Sequence, residues 1–205
     1  MSGALLQGLF RNPLADPGLI GVSGGAAVGA AVAIALGAAA TSVSTTLAAF
    51  VGGLGTVALV WRIGRRGGQV SVSLLLLSGI AINAVCGAAL GAVIHVASDD
   101  ELRALTSWTL GALGHASLTQ ALALLGLVAV SALALPWFAR RLDALLLGDE
   151  NARALGVDLR TLKRAVVALS ALLVAVAVAA SGLIGFVGLV APHLVRLALR
   201  PLHRI

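Results

Sequence analysis

Pro17–Trp61, PGLIGVSGGAAVGAAVAIALGAAATSVSTTLAAFVGGLGTVALVW, carries no charged residue. A hydrocarbon core about 30 Å thick is crossed by roughly 20 apolar residues in one helix. The run therefore holds two crossings, and the polar cluster Thr41–Thr46 marks the break between them. We place the helices at 19–40 and 44–62. Gly21, Gly24, Gly25 and Gly29 make the first one short, or irregular at its start, and suit close packing against a neighbour.

The same reading extends along the chain. Gly67–Ser98 is uncharged and gives one helix at 72–97. Asp99, Asp100 and Glu101 follow, then a short interfacial helix over 101–113 that holds Trp108. Gly114 and His115 break it, a helix runs over 117–138, and Arg140 and Arg141 stop that helix. A polar island fills 142–164. Ala165–Val195 is again uncharged, too long for one upright helix and too short for two. With Gly182, Gly185 and Gly188 inside it, the run gives a full helix at 165–181, a half-membrane re-entry and a short helix to 199. Irregular backbone at that depth survives only where protein or a cavity covers it.

Composition agrees. The chain is 60% hydrophobic and 11% charged, with a mean hydropathy of +1.06; soluble domains carry roughly 25% charged residues. Twenty-five glycines and many alanines point to tightly packed membrane helices. Cys86 is alone, so no disulfide forms within the chain. No His/Asp/Glu cluster has metal-ligand spacing, no Ser/His/Asp set is placed for nucleophilic catalysis, and no P-loop Gly-Lys-Ser/Thr pattern occurs.

The net charge of +6 follows the membrane rather than a nucleic acid. Alternating the helices puts Arg11, Arg62, Arg65, Arg66, Arg140, Arg141, Arg153, Arg160, Lys163, Arg164, Arg196, Arg200 and Arg204 on one side. Arg103 alone falls on the other. Basic residues mark the cytoplasmic face, so the island is cytoplasmic and His115 lies outside. There is also an internal echo: Ser2-Gly3 before Pro13 and Ser181-Gly182 before Pro192 share their spacing, and each glycine-rich segment then meets a basic residue. Paired broken segments point to inverted repeats. Residues 1–10 read as a half-helix without a start, and His203-Arg204-Ile205 as a turn without its next helix, so the chain is expected to be a fragment of a single permease domain, 1–205.

Three segments together carry a resemblance. Arg11-Asn12-Pro13-Leu14-Ala15-Asp16-Pro17-Gly18-Leu19-Ile20-Gly21-Val22-Ser23, the island from Leu147 to Val157, and Ser181 through Arg196 resemble, in order and spacing, the signatures of permease subunits in iron-siderophore, heme and vitamin B12 ABC importers. Leu6-Gln7-Gly8-Leu9-Phe10 and Ser78-Gly79-Ile80-Ala81-Ile82-Asn83-Ala84 look closest to the heme branch. The resemblance implies an all-α polytopic membrane protein of the type II importer fold. That fold has ten helices per subunit, of which about seven, the end of the second through the eighth, are expected here. It implies a homodimer in the bacterial inner membrane, two cytoplasmic ATPase subunits and a periplasmic binding protein. The chain itself would bind no cofactor; ATP and Mg would sit on the ATPase. The family's docking arginines for the binding protein would lie upstream of Met1.

Site residues follow from the same likeness. Leu147, Gly148, Asp149, Glu150, Ala152, Arg153, Ala154, Leu155 and Gly156 are the expected ATPase-coupling set, built as two short helices around Gly156, with Asp149, Glu150 and Arg153 fixing its register in the ATPase. A solvated loop is the plain alternative. Ser71, Val72 and Ser73 are gate candidates at the cytoplasmic end of the pathway, and Ser71 or Ser73 also suits a helix cap. Asn12-Pro13 and Asp16-Pro17 enforce a non-helical turn, because each proline bars its predecessor from the α region, and Asp16 suits a cap. Gly185, Gly188, Pro192 and His193 complete the structural motif. His95 and His115 are possible substrate contacts, since heme iron takes imidazole ligands; interfacial packing is their plain alternative. Import of a ferric chelate, heme first, is the expected function, with ferric siderophore or cobalamin as alternatives. An ion-coupled secondary transporter is the rival, and an inactive fragment a second one. The former normally carries ionisable groups in mid-membrane, and the expected spans have none.

Overall fold

The computed structural model describes residues 1–66, 69–111, 113 and 117–199. They are almost entirely helical. In chain order they form α1 (Ser2–Phe10), a 3-10 turn (Pro17–Ile20), α2 (Val22–Ala35), α3 (Val43–Gly64), the paired strands β1 (Arg65–Arg66) and β2 (Gln69–Val70), α4 (Val72–Val96), α5 (Asp99–Leu110), α6 (Leu118–Leu146), α7 (Asp149–Ala154), α8 (Leu159–Ser181) and α9 (Val187–Leu199). Among the described residues, α3, α4, α6 and α8 are long and apolar enough to cross a membrane, while α2 and α9 are shorter apolar helices.

The glycine-rich run from Gly21 folds as two pieces. Asp16 accepts from the Gly18 amide at 2.7 Å and caps the 3-10 turn. Gly21 then takes φ +86, a left-handed conformation that redirects the chain into α2. This break frees carbonyls. Asn83 of α4 donates to the Gly18 carbonyl at 2.8 Å, and Thr56 of α3 donates to the Gly21 carbonyl at 2.9 Å. Side chains of neighbouring helices thus cover the irregular backbone, as lipid requires. Because Asn83 lies near the middle of α4, Asp16–Ile20 sits at mid-height in the bundle. Asp16 therefore places an ionisable group beside mid-height in the bundle, just before the first expected span.

The small residues do what their pattern suggests. α2 and α3 meet backbone to backbone: a side chain at Gly25 would strike the Gly52 carbonyl, and one at Gly29 the Ala48 carbonyl. α8 is the central post, packed against α1, α2, α3 and α6. One core joins Leu6, Leu9, Ile20, Val60, Leu75, Leu145 and Leu162; a second joins Ala30, Ile34, Leu105, Trp108 and Val178.

Several boundaries move. α2 ends at Ala35 rather than 40, because Gly37 (φ +87) closes it and Ala38 donates back to Ala33. α5 starts at Asp99 and ends at Leu110, with Glu101 reaching back to Ser98. Its Trp108 is buried in the second core rather than held at an interface. Arg140 and Arg141 do not stop α6, which runs to Leu146. Arg141 folds back over the Trp137 ring at 4.0 Å and donates to the Trp137 carbonyl, so its charge is met by a ring face and a carbonyl of its own helix. Beyond it Leu142 and Leu145 are buried, Leu142 against Gly8 of α1. A 29-residue helix is about 43 Å long, so its end projects past the hydrocarbon. α8 begins at Leu159, inside the island, not at 165.

The two echo segments meet in space. α1 and α9 pack together at Gly3 and Gly188, and Arg196 donates to Gln7. Pro192 has no N–H for the carbonyl of Gly188 four residues earlier, and that carbonyl is the atom facing Gly3. The expected break is present, with 182–186 non-helical and α9 following it.

Candidate functional site

The island folds by its own local rules. Gly148 precedes α7, whose first turn holds Asp149 and Glu150 and whose last holds Arg153, matching charge to the helix dipole. Gly156 at φ +80 ends it: Val157 donates to Ala152 and Gly156 to Arg153, the paired bonds of a Schellman cap. Asp158 then caps α8 by accepting from the amides of Arg160 and Thr161 and from the Thr161 hydroxyl. These bonds hold its carboxyl below the ordinary carboxylate value, the Thr161 hydroxyl foremost. So α7 is one short helix, and the second helix expected around Gly156 is the first turn of α8.

The residues of α7 face two ways. Ala152 is fully buried against the core. Glu150, Arg153, Ala154 and Gly156 are exposed, and Leu147 and Leu155 are 62% and 63% exposed. Two open leucines beside charges, at the end of the molecule where the arginines gather, form a mixed surface of the kind proteins dock on.

Asp149 turns inward instead. Arg11 donates to Asp149 Oδ1, and Lys163 Nζ donates to Asp149 Oδ2 at 2.9 Å and to the Val70 carbonyl at 3.2 Å. Burial pushes the Asp149 carboxyl up; the Lys163 hydrogen bond and charge, with Arg11, outweigh that and hold it below its ordinary value. Asp149 is thus engaged within the chain by Arg11 and Lys163. Glu150 and Arg153 make no side-chain hydrogen bond among the described residues and are exposed.

A cleft of about 950 Å³ opens here. Arg11, Val70, Ser71, Val72, Asp149, Arg153, Gly156 and Lys163 line it, so the structure brings two of the gate candidates beside the coupling segment. Ser71 caps α4 by accepting from the Leu74 amide at 3.4 Å. Val72 is half-buried, and Ser73 is exposed outside the cleft lining. A second cavity of about 480 Å³ is lined by Asp16, Pro17, Gly185, Gly188 and Pro192, so the first and last sequence signatures converge on one space. Asn12 accepts from the Leu14 amide at 2.9 Å to tighten the turn at Pro13. His193 is exposed on α9 and His95 exposed in the last turn of α4; His115 lies outside the described residues. Among the described residues no three His, Cys, Asp or Glu side chains gather as a metal site.

Sequence reasoning missed Arg11, Val70 and Lys163. Lys163 left a trace: it falls within the apolar stripe Leu159, Leu162, Val166, Val167, at helical spacing. A cation inside such a stripe implies a buried partner. The carbonyl of Val70 left none.

Residues 1–205 match the model of the FecCD transport family. The chain belongs to the FecCD transport family. Similar FecCD-type chains include the hemin transport system permease protein HmuU of Yersinia pestis, 42% identical over all of this chain and 62% of its own length. The cobalamin import system permease protein BtuC of Halobacterium salinarum is also 42% identical, over 55% of its length. The vitamin B12 import permease BtuC of Escherichia coli is 38% identical over 62% of its length. A chain assigned to a metal-chelate type ABC transporter, solved in an inward-facing conformation, superposes with TM-score 0.85 at 33% identity, covering 98% of this chain and 65% of that one. The FecCD chain described here therefore spans about three-fifths of the length of these relatives, and its fold is that of an ABC importer permease.

Proposed function

We propose that this chain is the membrane-spanning part of an ATP-driven importer that carries a ferric chelate, heme first, from periplasm to cytoplasm. The observation that carries the reading is α7, a capped helix showing open leucines and charges on a face where the bundle presents its arginines. A cytoplasmic ATPase pair would grip it, bind ATP and Mg, and do the hydrolysis. A second copy of the permease would complete the pathway, a periplasmic binding protein would deliver the substrate, and the assembly would sit in the bacterial inner membrane. Transport then follows from ATP-dependent stabilisation of one arrangement of the helices over another.

Heme is favoured by the likeness of Leu6–Phe10 and Ser78–Ala84 and by the hemin permease relative. Ferric siderophore and cobalamin are the alternatives, and the cobalamin relative is equally similar. The first heme-like segment is largely spent on packing, with Leu6 and Leu9 buried and Gln7 accepting from Arg196. In the second, Asn83 donates to Gly18 while Ile80, Ala81 and Ala84 are exposed. The ion-coupled alternative is disfavoured by the family, although Asp16 at mid-height removes the argument from missing charges. Uptake by the full-length permease with its ATPase in proteoliposomes, comparing heme, a ferric siderophore and cobalamin, tests the reading. ATP-dependent accumulation of cobalamin without heme would overturn the choice of substrate.

A further inference from the structure

Lys163 is only 7% exposed, yet it stands at the start of a membrane-spanning helix. Its ammonium bonds two elements that are far apart in sequence: Asp149 on α7, and the Val70 carbonyl in β2, directly before the Ser71 cap of α4. Arg11, at the end of α1, takes the other oxygen of Asp149. Arg11 itself adopts φ +51, closing α1 with Asn12 donating to Gln7 and Arg11 to Gly8. That is the left-handed slot that glycine fills at lowest cost. An arginine there, aimed at Asp149, is a local conflict that the ion pair explains.

From these contacts we infer that Lys163 is a positioning residue, the pin that locks α7 to the mouth of α4. A displacement imposed on α7 is then carried to Ser71 and Val72 as a rigid-body movement, rather than absorbed by the flexible joints at Gly148 and Gly156. Packing anchors α7 through the buried Ala152, but its two glycine joints stand in open space, and its polar link to the mouth of α4 runs through Lys163. Without the pin, α7 is joined to α8 by the Gly156–Asp158 turn and to β2 by no other hydrogen bond among the described residues. The inference rests on the proposed function, since it assigns the pin to an ATPase-driven movement.

The test uses the full-length permease assembled with its ATPase, with Cys86 replaced by serine and spin labels at Asn151 and Leu77, both exposed. In the parent protein the label-to-label distance stays narrow and equal in the nucleotide-free and ATP-trapped states, while the two copies move relative to one another. Lys163→Met broadens that distance. It keeps ATPase association and hydrolysis, and lowers substrate transported per ATP by roughly tenfold, within the usual range of coupling between sites. Asp149→Asn, at a half-exposed position, gives the same two changes if Lys163→Met does not assemble, and Lys163→Arg restores both. An unchanged distance and an unchanged transport-to-ATP ratio in Lys163→Met or Asp149→Asn overturns the pin. Absence of any ATP-dependent movement in the parent protein instead overturns the proposed function.

Discussion

Asn83 donates its side-chain amide to the carbonyl of Gly18, 2.8 Å away and 65 positions earlier in the chain. The bond holds a broken helix start at mid-height in the bundle. Asn83→Leu keeps the volume and removes the donor. It is expected to lower stability by about 0.5–1.5 kcal/mol, the net contribution of one hydrogen bond at a part-buried site. Thermal unfolding in detergent measures this, with Thr56→Val as a parallel case at the Gly21 carbonyl.

The contact between Gly25 and Gly52 leaves no room for a side chain on either helix. Gly25→Val is therefore expected to part α2 from α3 and to destabilise by about 3 kcal/mol or more, at the upper end for overpacking. Gly87→Val, where nothing lies within 4 Å, is the matched control and is expected to unfold close to the parent temperature.

Gly156 is constrained by its backbone alone, with φ +80 and open space around it. Gly156→Val is expected to cost about 1–2 kcal/mol, the penalty for an L-residue in the left-handed region. Gly156→Asn is expected to cost less, because asparagine tolerates that region. Equal losses for both, read from unfolding midpoints, would place the strain elsewhere.

Arg11 sets two effects against each other. Arg11→Gly relieves a left-handed arginine and cuts one bond to Asp149. A half-exposed ion pair contributes roughly 0–1 kcal/mol, and the backbone relief is of similar size. Stability is thus expected to change by less than about 1 kcal/mol, while hydrogen exchange of the α7 amides accelerates.

Asp149 sets an acid limb. Its carboxyl is held below the ordinary value of 3.8, so its contribution is complete above that value and is lost as pH falls through the lower folded value. Arg11 faces it from the end of α1 and Lys163 from α8, with Arg153, Asp158 and Arg160 along the same cleft. No change from this group is expected between neutral pH and about pH 5. Below 3.8 the unfolding temperature of the parent is expected to fall more steeply than that of Asp149→Asn. Glu101 and Asp158, also held low, act in the same direction in both proteins and cancel in the comparison.

Much of the fold was legible because lipid is a severe solvent. Long uncharged runs located α3, α4, α6 and α8, and the glycines announced the breaks at Gly21 and Gly182. What escaped were the places where tertiary contact overrides a local stop. Arg140 and Arg141 read as a boundary, but Trp137 shelters one of them and Leu142 packs on Gly8, so α6 continues. Asp16 read as part of a non-helical turn and a cap, which it is, but nothing in the residues told that Asn83 holds that turn at mid-height. In the candidate site the capping grammar of Gly156 and Asp158 was visible as residue types. The tie from Lys163 to a main-chain carbonyl was not, since no residue type encodes which carbonyl comes near.

The claim that α7 is a docking surface for an ATPase is tested most directly by Glu150→Arg. Glu150 is exposed and makes no hydrogen bond or ion pair within the described chain, so the fold's stake in it is only the helix-dipole term of a six-residue helix, below about 1 kcal/mol. The measurement is co-purification of the ATPase with the full-length permease, together with ATP-dependent uptake in proteoliposomes, at matched thermal stability. The account predicts an unchanged unfolding temperature with loss of both association and uptake. Full assembly and parental uptake in Glu150→Arg, and again in Leu155→Glu, would contradict it.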